Sequence, residues 1–266
     1  MAWSDLRVEI EDGWGRLTLH RPEQRNSMCP TLLAELDEAT THLADEAGLR
    51  GLVVTGAGDS FSVGGDVASI RECIHDPSTD VVAISRDQVE RMQRSVLNIR
   101  RMPFPVVAAV NGLAAGSGFG LALACDDRIA SRRATFVAAY GAIGLSPDAG
   151  LSYMLPRMIG EARARAIVLG DQVIRARTAE RLGIVSEVVE EDELGAVAMR
   201  RARRLTRWAP RSVAATKELL QSAWHDGFAD HLQRERHVFA DLCATADFRE
   251  GIEALHAGRP PCFEGR

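Results

Sequence analysis

"VVAAVNGLAAGSGFGLALACD", Val106–Asp126, is the stretch from which the fold is read. Its first residues, with "FP" before them, are small, β-branched and continuously apolar, as in a strand covered on both faces. Asn111-Gly112 ends that run, and "GSG" opens an apolar helix through "FGLALA". Asn and several glycines interrupt the segment, so it does not read as a membrane span. A strand that passes through a glycine-rich turn into a helix is one unit of an α/β protein.

Other units lie on either side. "LRVEIEDGWGRLTLHR" alternates apolar and polar residues around "DGWG", which predicts a hairpin. "TLLAELDEATTHLADEAG" has helical spacing, with Leu32, Leu33, Leu36 and Leu43 on one face. "LRGLVVTGAG" is a short buried strand. Asp80–Arg101 is helical, with Val82, Val89, Met92, Val96 and Ile99 recurring at helical intervals. "ATFVAA" and "VSEVVE" read as later strands. Strands alternating with helices predict parallel pairing through right-handed crossovers. From about Glu191 the pattern is helical only. We divide the chain into a core over residues 1–205 and a helical region over 206–266.

Composition narrows the function. The 266 residues carry a net charge of −5, with a pI near 5.8, which argues against a nucleic-acid-binding surface as the main role. Lys217 is the only lysine, so lysine chemistry is excluded everywhere else. Five cysteines without a C-x-x-C pair suggest reduced thiols. "MAWSDLRVEIEDGWGR" is charged and lacks the apolar run of a secretory leader, so a cytoplasmic location is expected. The histidines show no metal-ligand spacing, and no metal is expected.

A second glycine-rich turn, "VVTGAGDSFSVGGDV" (Val53–Val67), resembles the first in layout. Neither fits a dinucleotide fingerprint: residues 59–62 supply no third glycine, and Leu121 stands where the last glycine of "GSGFG" should be. No lysine lies near Tyr140 or Tyr153, as a short-chain dehydrogenase would require. Such turns serve close strand–helix packing. They also present free backbone N–H groups at a helix start, where two facing turns could hold an oxyanion. No G-x-S-x-G elbow supplies a serine nucleophile.

Taken together with "LTLHRPEQRNSM", "GLSPDAGLSYMLPRMIGEARARAIVLG", "AERLGIVSEVV" and "EGIEALHAGRPPCF", these turns resemble the enoyl-CoA hydratase/isomerase (crotonase) family over nearly the whole chain. The resemblance implies an α/β spiral of repeated ββα units with a C-terminal helical region that builds trimers or hexamers. It also implies an acyl-CoA thioester substrate, with no cofactor beyond the coenzyme A of the substrate itself. It assigns the thioester-oxygen donors to the backbone N–H groups of Gly65 and Ser117. Around them it places Ser62, Gly64, Asp66, Val67, Leu113, Gly116, Gly120 and Tyr140 as pocket residues. Asp66 also reads as a helix cap. Arg25 and Arg259 stand where family members often hold the CoA phosphates.

The departures from that pattern are informative. Family hydratases use two glutamates, and at their positions this chain has Gly120 and Tyr140. What remains is Asp148, in "AAYGAIGLSPDAG". That stretch resembles the epoxyphenylacetyl-CoA isomerases of the phenylacetate pathway and related enoyl-CoA isomerases, in which this aspartate is the acid–base residue. It also resembles 4-chlorobenzoyl-CoA dehalogenase, in which it is a nucleophile. The dehalogenase pairs it with a tryptophan and an upstream histidine, and no histidine stands between His75 and His225. Read from residues alone, Asp148 is either the cap of the helix "AGLSYMLPR" or a base in a low-polarity setting. The expected function is an acyl-CoA isomerase. A non-catalytic or RNA-binding member of the fold is the alternative of another class, because Arg200, Arg203, Arg204 and Arg207 share a helix face.

Overall fold

The structure is a computed structural model, and it describes residues 3–46 and 48–266. Strands β1 (Leu6–Glu11) and β2 (Trp14–Leu19) form the expected hairpin. Its two turn residues, Asp12 and Gly13, both take positive φ, as a tight hairpin turn requires. Helix α1 (Pro30–Asp45) follows, with a proline in its first turn and the Cys29 sulfur accepting from the Leu32 N–H as cap.

Three ββα units come next. The first is β3 (Gly51–Gly56) and β4 (Ser60–Ser62) with α2 (Val67–His75) and α3 (Val81–Arg101). The second is β5 (Val106–Val110) and β6 (Leu113–Ala115) with α4 (Ser117–Ala124). The third is β7 (Asp127–Ser131) and β8 (Thr135–Val137) with α5 (Leu151–Ile159) and α6 (Glu161–Leu169). The chain then runs through β9 (Ile174–Arg175), α7 (Ala176–Leu182), β10 (Glu187–Val189) and α8 (Leu194–Leu205). Helices α9 (Pro210–Ser222), α10 (Phe228–Cys243) and α11 (Ala246–Ala257) complete it.

Each unit sends its first strand to one sheet and its second to another. The larger sheet has the order β1-β2-β3-β5-β7-β10, and the smaller β4-β6-β8-β9. Between successive units all pairing is parallel, as the alternation of strands and helices predicts. Successive side chains of β5 enter different layers. Val106, Ala108 and Val110 join the main core, while Val107 and Ala109 meet Val197, Ala198 and Ala202 of α8 across the other face. Every residue of α4 is buried, which explains why this helix is apolar all round.

The division drawn at residue 205 falls at the end of α8, but α9 is not detached from the core. The lone lysine ties it down. Lys217 Nζ donates to the carbonyl oxygens of Ile99 (3.1 Å) and Phe104 (3.2 Å) and to Asp126 Oδ2 (2.7 Å). Gln221 Nε2 donates to the Arg100 carbonyl at 2.5 Å. These bonds satisfy carbonyls at the end of α3 that have no helical partner of their own. Among the described residues no helix is long and apolar enough to cross a membrane.

Candidate active site

The two glycine-rich turns follow β4 and β6, and those strands pair in parallel, with Ser60 opposite Leu113 and Ser62 opposite Ala114. Pairing therefore lays the turns side by side. The approach is close: a Cβ on Gly64, whose φ is +81°, would stand 2.7 Å from the Ala115 carbonyl oxygen. Only glycine meets both demands. The Gly65 N–H has no protein acceptor among the described residues. Ser117 is the first residue of α4, so its N–H has no helical partner either. The two donors expected from the sequence thus belong to neighbouring turns, and Ser117 lies at a helix N-terminus, where the dipole favours negative charge.

The first turn is braced from behind. Met28 N–H donates to the Gly64 carbonyl at 2.7 Å. Arg21 Nη1 donates to Asp66 Oδ2 (2.9 Å) and to the Ser27 carbonyl (2.7 Å), and Ser27 Oγ also reaches Asp66 (2.9 Å). The other oxygen of Asp66 accepts from the Ser69 N–H and caps α2. Although burial works the other way, these partners hold the Asp66 carboxyl below the usual carboxylate range. Asp66 is accordingly a cap and a brace for the first turn. Ser62 braces the same turn: its Oγ donates to the Asn26 carbonyl at 2.7 Å and accepts from the Gly64 N–H.

Asp148 does not cap α5. The N-cap is Gly150, no side chain caps that helix, and only the Asp148 carbonyl serves it, accepting from the Leu151 N–H. The carboxylate instead accepts a 2.5 Å hydrogen bond from Tyr140 Oη. Burial pushes the Asp148 carboxyl above the ordinary aspartate range, against the pull of that hydrogen bond. Burial and the adjacent carboxylate push the Tyr140 phenol up as well, so it stays protonated and remains the donor. Each partner follows or precedes a strained residue: Ala139 and Ala149 have φ of +59° and +49°. Such alanines cost on the order of 1–2 kcal/mol each and persist where their surroundings dictate them.

Ala149 also accounts for Gly120. A Cβ on Gly120 would lie 2.5 Å from the Ala149 Cβ and 2.8 Å from its carbonyl oxygen. The loop carrying Asp148 therefore occupies the space into which a side chain at position 120 would project. Gly120 is buried behind this loop and offers the pocket no surface.

Beside Asp148 and Tyr140 opens a cavity of about 1460 Å³ between α3, α5 and α9, lined by Val89, Val96, Leu97, Met102 and Met154 among others. Of the eight expected pocket residues, Tyr140 alone lines it. Gly64 and Gly116 stand at the turns, Leu113 begins β6, and Val67 is exposed on α2. Arg259 is spoken for: both of its terminal nitrogens bind Glu250 (2.6 and 2.8 Å), which with the Cys262 N–H hold that carboxyl down at about 2. Arg25 is exposed in a left-handed turn, and its carbonyl accepts from the Val63 N–H. On the basic face, Arg203 lies over Trp14 and Arg207 over Trp208. Sequence reasoning missed Ala149, Arg21 and Ser27. "HRPEQRNSM" contained the last two, but no local pattern ties an arginine to a carboxylate so far along the chain.

Known proteins resemble this one closely. The sequence model of the enoyl-CoA hydratase/isomerase family matches residues 9–266. A probable enoyl-CoA hydratase of Rhodobacter capsulatus is 35% identical over 100% of both chains. The 1,2-epoxyphenylacetyl-CoA isomerase of Escherichia coli is 34% identical over 97% of each chain. The crystal structure of an enoyl-CoA hydratase from Polaromonas sp. JS666 is 33% identical, with a TM-score of 0.91 over 97% of this chain and 99% of its own.

The Gly120–Ala149 contact has a direct test. Gly120→Glu is expected to destabilise the fold by about 1–3 kcal/mol through overpacking, and to confer no hydratase activity. Urea denaturation and a crotonyl-CoA hydration assay measure the two. Unchanged stability would mean that the Asp148 loop yields to a side chain.

Proposed function

The chain belongs to the enoyl-CoA hydratase/isomerase family, and from that premise we propose that it is an acyl-CoA isomerase with one acid–base residue, Asp148. The Gly120–Ala149 contact carries this reading. It leaves no room for an acid at position 120, and it accompanies a lone aspartate whose only side-chain partner is a phenol donor.

The substrate oxygen sits between the Gly65 and Ser117 N–H groups. The Asp148 carboxylate takes a proton from the α-carbon of a 3-enoyl thioester. The C–H electron pair moves into the bond to the carbonyl carbon, and the charge rests on the oxygen as an enolate stabilised by the two donors. The same carboxyl returns the proton to the γ-carbon, and the double bond ends between the α- and β-carbons. Nothing is consumed, and no cofactor takes part beyond the coenzyme A of the substrate. Tyr140 keeps the carboxylate oriented and ionised enough to act as a base, while burial keeps it basic enough to hold the proton in transit. The 1,2-epoxyphenylacetyl group in the name of the E. coli relative would need the same enolate and the same single base.

The proposal extends to the assembly and its location. Helices α9–α11 expose Leu220, Phe228, Phe239, Ile252 and Leu255, more apolar surface than a free chain leaves open. A cytoplasmic trimer or hexamer covers it. Light scattering at micromolar concentration is expected to give three or six chains, and a monomer would count against this reading.

Incubation with 3-enoyl-CoA and 2-enoyl-CoA esters should interconvert them, and efficient formation of 3-hydroxyacyl-CoA would overturn the assignment. Asp148→Asn should lower isomerisation by about two orders of magnitude or more. It should not lower the melting temperature. The folded carboxyl keeps its proton to higher pH than the unfolded one, so its ionisation costs stability as pH rises through the window above the ordinary aspartate value. Asparagine removes that cost. Tyr140→Phe removes a bond that favours the charged form, so the acid limb of the rate profile should move to higher pH. An unmoved limb would separate Tyr140 from the base.

A further inference from the structure

The cavity beside Asp148 is charged in a way the isomerisation does not use. Neither Gly65 nor Ser117 lines it; it begins at Tyr140 and Asp148 and runs past α5 to α9. It therefore extends from the base away from the two glycine-rich turns. Its basic side chains are Arg100, Arg101, Arg157, Arg211, Lys217 and His225, and Asp148 and Glu218 are its only carboxylates among the described residues. Lys217 is matched by Asp126. The four arginines make no ion pair among the described residues, in a protein whose net charge is −5.

Arg100 stands apart from the other three. Arg101, Arg157 and Arg211 are exposed, and water serves their charge. Arg157 also lies over the Tyr153 ring and donates to the Tyr153 carbonyl. Arg100 is half-buried, and its one side-chain contact of hydrogen-bond type is Nη1 to the Met154 sulfur at 3.8 Å, a weak acceptor. Among the described residues, every other arginine outside the exposed class has an oxygen partner: Arg21 with Asp66, Arg91 with Asp87, Arg128 with two carbonyls, and Arg201 with Asp127 and Glu187. Asp126 lies within range of the Arg100 charge but is paired with Lys217 and makes no hydrogen bond to the guanidinium, and a planar carboxylate is the group that this unused fork fits best. A positive charge at the end of α3 would favour the helix dipole, but the exposed Arg101 already meets that need.

The position is fixed from both sides. Gln221 and Lys217 hold the carbonyls of Arg100 and Ile99. Met154, under the guanidinium, is one turn along α5 from Gly150, and α5 begins three residues after Asp148. Val96, Leu97, Met102 and Met154 give the same cavity apolar lining. We propose that this cavity receives an acyl chain ending in a carboxylate, a dicarboxylic acid held as a monothioester, with Arg100 as the receiver of the distal carboxylate. This deepens the acyl-CoA reading above and rests on it.

Two saturated esters of equal chain length separate the proposal from the reading it rests on, because neither can be isomerised. Octanoyl-CoA ends in a methyl group, and suberyl-CoA carries a carboxylate at the same end. The coenzyme A part is common to both and cancels. Titration calorimetry on the wild-type protein should show suberyl-CoA binding at least about tenfold more tightly, an advantage that shrinks with added salt. In Arg100→Met the advantage should vanish while octanoyl-CoA binds as well as before or better. If that variant fails to fold, Arg100→Gln takes its place. Equal binding of the two esters by the wild type, or tighter binding of octanoyl-CoA, overturns the proposal alone. A suberyl preference that survives in the variant overturns Arg100 as receiver. If neither ester binds, the acyl-CoA reading falls with it.

Discussion

Strands β4 and β6 are short, yet their parallel pairing sets the geometry on which the rest of the site depends. Each strand is followed at once by glycines, so the pairing that aligns the strands also aligns the turns. The N–H of Gly65 and the first N–H of α4 become neighbours through main-chain hydrogen bonding and not through any side chain. The arrangement is correspondingly stiff. Gly64 lies against the Ala115 carbonyl, Arg21 and Ser27 hold Asp66 at the start of α2, and α4 is enclosed by the core on every side. Donors fixed in this way need no rearrangement when negative charge arrives.

Against that rigid half stands a second half built under strain. Tyr140 and Asp148 come from one loop, and the alanine beside each has positive φ. Burial raises both acid groups, and the hydrogen bond between them opposes the rise on the carboxylate side only. The result is a carboxyl with a weakened hold on its charge, beside a phenol that keeps its proton. Ala149, by filling the space over Gly120, couples the identity of a residue on α4 to the course of this loop. The missing side chain at position 120 and the aspartate at position 148 are thus two parts of one packing arrangement.

Much of this was legible before any coordinates. The long apolar strands β3 and β5, the Asp12-Gly13 hairpin and the periodic helix α3 declare themselves, because burial on known faces imposes a period on the residues. Strands β4 and β6, three residues each, carry no readable period and hide inside the turns that follow them. The candidate acid and the two donors were singled out only through family likeness; read from spacing alone, Asp148 was as readable as a helix cap as it was as a base. The capping alternative fails on backbone conformation, since Gly150 and not Asp148 precedes the helix, and composition carries no trace of that. The pairing of Arg259 with Glu250 was not legible, because the glutamate sits on the preceding helix nine residues earlier. The Ala149 contact was invisible for a plainer reason: alanine and glycine announce nothing until their distance is known.

The single lysine has a bearing on chemical durability. Thioesters acylate free amines, and lysine is the side chain that such acyl groups modify. Here the one ε-amino group is wedged beneath α9, spending its three protons on Ile99, Phe104 and Asp126. All other basic side chains, histidines aside, are guanidinium groups, which stay protonated and make poor nucleophiles. A surface charged in this manner offers activated acyl groups no free side-chain amine to acylate.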